Sequence, residues 1–151
     1  MRVLYLRLKV MGCDMPNSYT GDLYLALDVA GHGAVVACGY RYYLTHKNSN
    51  EFVDIEVGMV TDGVTVPPWL RPFVRQWQYL KAVLVHDKFC KTLRVELVEA
   101  DLVTGKMWRH IGRAEIDKEF KIALGVLGCP KLKVQIFYVG VRVWFYFRGG
   151  K

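Results

Sequence analysis

Apolar and polar residues alternate through much of the first third of the chain. Apolar side chains recur at every second position in three runs, which are Leu4, Leu6 and Leu8, then Leu23, Leu25, Leu27 and Val29, then Val53, Ile55 and Val57. A period of two is typical of a strand with one buried face. The pattern therefore predicts mainly strands up to about residue 58, with a hairpin turn at Gly31 to Gly33.

After Pro68 the apolar residues fall three or four positions apart, which is the helical period. One such stripe covers residues 75–90 and contains Tyr79, Ala82, Val83, His86, Phe89 and Cys90. A second stripe covers Arg113 to Leu127, and Gly128 with Pro130 marks its end. One or two further helices are predicted in Lys131 to Phe147, whereas residues 91–112 suit either a hairpin or another helix.

Strands followed by helices indicate an α+β fold, in which an N-terminal antiparallel sheet is covered on one face by C-terminal helices. The 151 residues are most simply one domain, with strands in 1–58 and a motif loop and helices in 59–151. With 52% hydrophobic and 23% charged residues, the chain has the composition of a globular protein.

A net charge of +7 favours anionic substrates or partners. The four cysteines have neither C-x-x-C nor zinc-finger spacing, so we interpret them as reduced thiols. Residues 132–147 are rich in aromatics but shorter than the roughly 20 apolar residues of a membrane-spanning helix. We expect a buried C-terminal helix rather than an interfacial anchor, and no transmembrane segment.

Four sequence features are candidates for a polar site. They are Asp62 in the segment VTDGVTVPP, the adjacent pair His86 and Asp87, Asp117 near a helix start, and Arg142. Each has an ordinary structural explanation: an aspartate can bond to its own turn, a histidine in an apolar stripe is usually a core residue, and an arginine can pair with a buried carboxylate. The four features could meet in such a fold, but each alone is a weak signal.

The segments VTDGVTVPPWL, VLVHDKFC, GRAEIDKEFKIALGVLGCP and FYVGVRVW together resemble the domain-of-unknown-function family thirteen fifty-three, found in bacteriophages and prophages. The resemblance covers roughly residues 50 to 145. It implies a phage protein, located in the host cytoplasm or the virion, with other phage proteins as partners. It implies no reaction.

The family pattern assigns site positions residue by residue. The loop positions are Asp62, Gly63, Thr65 and Pro67, the helix-end pair is His86 and Asp87, and the later positions are Arg113, Asp117, Tyr138 and Arg142. Val64 departs from the pattern, Thr65 replaces serine, Ile116 replaces alanine, and the tyrosine after the His-Asp pair is missing, with Phe89 and Cys90 in its neighbourhood. We expect Asp62, His86, Asp87 and Asp117 to form one cluster.

Carboxylates with an imidazole suit a divalent metal whose bound water attacks a substrate. The sequence-based hypothesis is a metal-dependent hydrolase with Asp62, His86 and Asp117 as ligands and Asp62, His86 and Asp87 as catalytic residues. Thr65 and Arg142 would bind an anionic substrate.

Two other functions stay open. One is a virion or tail-assembly component in which the cluster only stabilises the fold, and the other is a factor that binds a nucleotide or nucleic acid of the host. Nucleic-acid binding has little support, because Trp77 and Tyr79 among the nearby basic residues are as well explained as core. The sequence contains no G-x-S-x-G, H-E-x-x-H, P-loop or dinucleotide signature.

Overall fold

The computed structural model describes residues 4–8, 19–21, 23–27, 33–61 and 79–147, and it describes only the backbone of residues 4–8, 27 and 144–147. Within these residues, antiparallel strands dominate the N-terminal part and three helices lie in the C-terminal part. The predicted α+β class is therefore confirmed. The tip of the hairpin predicted at Gly31 to Gly33 lies outside the described residues.

The described strands form two sheets rather than the single sheet that was expected. The first contains β1 (Leu4–Leu8), β2 (Leu23–Leu27), β3 (Ala34–Cys38) and β6 (Val60–Thr61), in the order β1-β2-β3-β6. Its neighbours are antiparallel, with Leu25 opposite Val36 and both side chains buried. The alternation of apolar residues thus placed β1 and β2 correctly.

The second sheet contains β4 (Tyr40–Tyr43), β5 (Glu51–Ile55), β7 (Arg94–Leu97) and β8 (Trp108–His110), in the order β4-β5-β7-β8. All three pairs are antiparallel. Strands β7 and β8 answer the open question about residues 91–112 in favour of a hairpin. Strands β6, β7 and β8 lie beyond residue 58, up to which mainly strands were predicted.

Gly39 separates β3 from β4, where the chain passes from the first sheet to the second. A Cβ atom at this position would lie 2.6 Å from the carbonyl oxygen of Ile55. Backbone atoms cannot move away from such a contact as a flexible side chain can. The close approach therefore requires glycine, and it explains why the long apolar run of residues 34–44 divides into two strands.

The helices are α1 (Leu80–Thr92), α2 (Arg113–Val126) and α3 (Lys131–Phe147). Leu93 adopts a left-handed conformation at the end of α1, and its N–H donates to the carbonyl of Phe89 at 2.8 Å. Gly128, with φ of 71°, follows α2 and is succeeded by Pro130. The predicted α2 and α3 are confirmed, whereas residues 75–78 of the predicted first helix lie outside the described part.

The helices pack against the sheets through one apolar core. Its helical members include Ala82, Leu84, Val85, Phe89, Ile116, Phe120, Ala123, Leu124, Val134 and Phe137. Strand residues Leu25, Val36, Tyr42, Val53 and Val95 complete it from the sheets. Helix α3 contributes Val134 and Phe137 to this core, whereas its Leu132 and Val139 are exposed, so its described side chains bury one face of the helix rather than all of it. None of the described helices combines the length and apolarity needed to cross a membrane.

Candidate functional site

Each of the three helices contributes a polar side chain to one buried cluster. His86 comes from α1, Asp117 from α2 and Arg142 from α3. The helical period explains this convergence, because His86 and Asp117 both lie within apolar stripes that face the helix interfaces. The His86 ring also packs on the ring of Phe120, with centroids 4.7 Å apart. We call His86, Asp117, Arg113, Arg142 and Cys90 the helix cluster.

Asp117 is the centre of the helix cluster and is fully buried. Its Oδ1 lies 3.3 Å from Nε2 of His86 and 3.2 Å from Nε of Arg113, one helical turn earlier. Its Oδ2 lies 3.6 Å from Nη1 of Arg142 but makes no hydrogen bond to any described residue. A buried carboxylate is thus approached by three basic groups, while one of its oxygens keeps capacity to accept a proton donor.

His86 is buried, with 7% of its surface exposed. Burial lowers the pKa of a histidine, but the favourable interactions of the charged ring with Asp117, Asp87 and Cys90 outweigh burial and raise the pKa from 6.5 to about 10. The physical cause is that a positively charged ring bonds better to carboxylates than a neutral ring does. At neutral pH His86 is therefore an imidazolium, which can donate a proton.

Asp87 and Arg142 connect the helix cluster to solvent. Asp87 keeps 38% of its side chain exposed, and its Oδ1 lies 3.8 Å from Nδ1 of His86, beyond hydrogen-bond range. Arg142 is 39% exposed, and its guanidinium carbon lies 5.9 Å from the centre of the Tyr138 ring, one turn earlier on α3. Both side chains can thus contact a molecule that approaches from outside.

Arg113, a site position of the family pattern, and Cys90 also belong to the helix cluster, although neither was assigned a chemical role. Nη1 of Arg113 donates to Sγ of Cys90 at 2.9 Å, and that sulfur lies 3.7 and 3.8 Å from the two ring nitrogens of His86. Cys90 follows His86 by four positions, and Arg113 precedes Asp117 by four. This spacing places both residues on the helix face of their partner, so the sequence did contain a signal for them.

Glu119 is a second buried acid that the sequence interpretation missed. Its Oε1 accepts hydrogen bonds from the Tyr42 hydroxyl at 2.6 Å and from the Thr45 backbone N–H at 2.9 Å. Burial raises the pKa of Glu119, and these two bonds partly offset the shift. Its position three residues after Ile116, on the buried face of α2, was the available signal.

Asp62 and Thr65 lie outside the described residues, so their predicted roles stay predictions. Among described residues the structure brings together His86, Asp87, Asp117 and Arg142, as the sequence spacing suggested. No group of three or more His, Cys, Asp or Glu side chains within this described part of the chain could hold a metal ion. Of the three predicted ligands, His86 and Asp117 lie among the described residues, with Nε2 and Oδ1 3.3 Å apart, and Asp62 lies outside them.

The fold and the helix cluster define an α+β protein with a buried imidazole–carboxylate pair at the junction of three helices. A family model described as "Protein of unknown function (DUF1353)" matches residues 36–141. The match covers well over half of the chain, so the protein belongs to this family, as the sequence motifs predicted. It includes His86, Asp87 and Asp117 and ends one residue before Arg142. No curated protein and no solved structure matches the chain.

Proposed function

We propose that this protein is a hydrolase whose reacting centre is the pair His86 and Asp117, and that its substrate is an anion held by Arg142. The observation that carries the proposal is the buried Oδ2 of Asp117, which makes no hydrogen bond to a described residue. Its nearest described basic group is Nη1 of Arg142, at 3.6 Å, so this oxygen keeps the capacity to accept a hydrogen bond. A substrate or a water that donates to Oδ2 would use this capacity.

The proposed chemistry uses His86 as a general acid. Its charged ring is held by Asp117 at 3.3 Å and has a pKa raised to about 10, so a proton is available on the imidazole at neutral pH. Asp87, which is 38% exposed, accepts a proton from the attacking water. The water oxygen bonds to the substrate, the bond to the leaving group breaks, and His86 protonates that group.

Arg142 is the proposed binding residue for the anionic part of the substrate. Its guanidinium is partly exposed and already oriented by Asp117 and Tyr138, so little side-chain entropy is lost on binding. The net charge of +7 supports an anionic substrate as well. In this proposal Thr65 assists Arg142.

The metal-dependent form of the same proposal adds a divalent ion held by Asp62, His86 and Asp117. The oxygen and nitrogen donors of these side chains suit Zn²⁺, Mn²⁺ or Mg²⁺, and the ion would activate the attacking water. The positions of Arg113 and Arg142 disfavour metal binding, because two guanidinium groups beside Asp117 repel a further cation. Metal content therefore separates the two forms of the hydrolase.

A second candidate is a non-enzymatic phage protein, such as a virion or tail-assembly component. The observation that favours it is that Asp117 joins side chains from α1, α2 and α3 in one buried network. Such a network fixes the helices relative to one another whether or not any reaction occurs. We keep the phage context for both candidates as part of the proposal, supported by the motif resemblance described above.

The deciding experiment is a hydrolysis screen with anionic p-nitrophenyl esters, including the phosphate, the phosphate diester and the sulfate. The purified chain is assayed after chelation and again with Zn²⁺, Mn²⁺ or Mg²⁺, and its metal content is measured in parallel. The hydrolase proposal expects turnover of at least one ester. Absence of turnover under every condition would favour the assembly role.

Arg142→Gln provides a test of substrate binding that does not depend on His86. Because Arg142 is partly exposed, this variant should stay folded, and KM should rise about tenfold or more with a smaller change in kcat. Lys118→Gln, an exposed residue on α2, is the control for a general loss of positive charge. Equal KM values for the two variants would remove Arg142 from the site.

A further inference from the structure

A cavity of about 450 Å³ lies on the second sheet, beside the C-terminal end of α1. Its lining includes Phe52, Lys88, Arg94, Glu96, Met107 and Trp108. None of these residues belongs to the helix cluster. The volume falls within the ~300–1,000 Å³ typical of small-ligand sites. We call this space the Trp108 cavity.

Cations and an aromatic ring are combined at Trp108. The guanidinium carbon of Arg94 lies 4.3 Å from the centre of the Trp108 ring, and Nζ of Lys106 lies 5.1 Å from it. Arg94 and Lys106 are both exposed. A planar base stacks on an indole or on a guanidinium plane, and the same cations bind a phosphate. A stacking surface next to a phosphate-binding cation is suited to a nucleotide unit.

Glu96 is one of the residues that line the cavity. In the register of the sheet it lies between Phe52 on β5 and Trp108 on β8, so its carboxylate is flanked by two aromatic side chains. A carboxylate accepts hydrogen bonds and cannot donate them when charged. It therefore favours a base with an exocyclic amino group, as in cytosine, over one with a carbonyl at the same position, as in uracil.

We propose that the Trp108 cavity binds a nucleotide unit, with the base against Trp108, the phosphate on Arg94, and the amino group of the base on Glu96. The nucleotide can be free or part of a single strand, because the recognised chemistry is the same. The sequence offered little support for nucleic-acid binding, because the aromatic residues near its basic residues, Trp77 and Tyr79, are as well explained as core. The pairing of β7 with β8, which brings Arg94 close to Trp108, is not encoded in the local sequence.

The test is calorimetric titration of the full chain with cytidine 5′-monophosphate, uridine 5′-monophosphate and cytidine. Trp108→Ala should weaken binding of cytidine monophosphate by ~5- to 100-fold, as expected for loss of one stacked base. Arg94→Gln should weaken binding of the monophosphate by about tenfold but leave cytidine unchanged. Glu96→Gln should abolish the preference for cytosine over uracil. Lys131→Gln, at the exposed start of α3, is the charge control.

Arg94 is exposed, so its variant keeps the proposal testable even if Trp108→Ala fails to fold. A ten-nucleotide deoxycytidine strand, titrated in parallel, distinguishes the two sources of the ligand. Tighter binding of the strand identifies single-stranded nucleic acid, and equal binding identifies the free nucleotide. No binding of either probe at millimolar concentration overturns the proposal, as does wild-type affinity in the Arg94→Gln and Trp108→Ala proteins.

Discussion

Replacing Asp117 by asparagine keeps the shape of the side chain but removes the negative charge that His86, Arg113 and Arg142 approach. Arg113 and Arg142 are 30% and 39% exposed and can turn toward water, so their share of the loss is screened. His86 is buried and cannot turn toward water, so in the asparagine variant its ring must lose its proton instead. Breaking a buried ion pair costs ~3–5 kcal/mol, and the partial exposure of the two arginines places the expected loss near 3 kcal/mol.

The pH dependence provides a second readout of the same variant. Because the folded state raises the pKa of His86 from 6.5 to about 10, the stability this group contributes is complete below pH 6.5 and is lost as the pH rises toward 10. For one proton, the free energy of unfolding changes by at most ~1.4 kcal/mol per pH unit. Asp117 is the largest of the causes that raise the pKa of His86. In Asp117→Asn the free energy of unfolding should therefore depend much less on pH.

Urea unfolding at pH 6, 7, 8 and 9 measures both effects. The control is Asp54→Asn, which removes a carboxylate from the surface pair with Arg41 and should cost no more than ~1 kcal/mol. If Asp117→Asn costs as little as this control and keeps the wild-type slope, then the helix cluster does not hold a charged histidine. The reasoning about its electrostatics would be refuted.

Substitutions at two further positions, each with a matched control, test other features by urea unfolding. Because burial raises the pKa of Glu119, the stability that this group contributes falls as the pH rises above 4.5 through the folded-state pKa. Glu119→Gln should therefore be at least as stable as wild type at pH 8, whereas Glu119→Ala removes the acceptor of the Tyr42 hydroxyl and should cost ~1–3 kcal/mol. Lower stability of the glutamine variant at pH 8 would contradict this. Gly39→Ala should destabilise the protein by ~2 kcal/mol, because the added Cβ atom clashes with the Ile55 carbonyl oxygen. The control is Gly125→Ala, in open space on α2, which should stabilise the protein by ~0.5–1 kcal/mol. Equal effects of the two substitutions would refute the argument that Gly39 is required by a close approach of the backbone.

The hydrophobic period was enough to predict the class of the fold and helices α2 and α3. It predicted one sheet instead of two because the chain changes sheets at Gly39, where its backbone comes close to the distant Ile55, and local sequence does not encode this long-range approach. Strands β7 and β8 were left open for a similar reason. Each is short, and β7 forms a strand because β5 provides its partner edge, which local sequence does not encode.

The candidate site was predictable where residues share a helix face with an apolar stripe. His86 and Asp117 met this condition, and they do meet across the α1–α2 interface. Arg113 and Cys90 were given no role, because a four-residue spacing is common and becomes informative only when the partner helix is known. Glu119 was missed because its partners come from the distant residues Tyr42 and Thr45.

The central claim, that His86 is a reacting group held by Asp117, is tested most directly by the turnover number of His86→Gln. Glutamine retains hydrogen-bonding capacity but cannot act as an acid at neutral pH. Rates are compared at a temperature where circular dichroism shows both proteins folded, with the ester that the wild type hydrolyses best. We predict that kcat falls by ~10²- to 10⁴-fold. A folded His86→Gln protein with wild-type kcat would contradict the account.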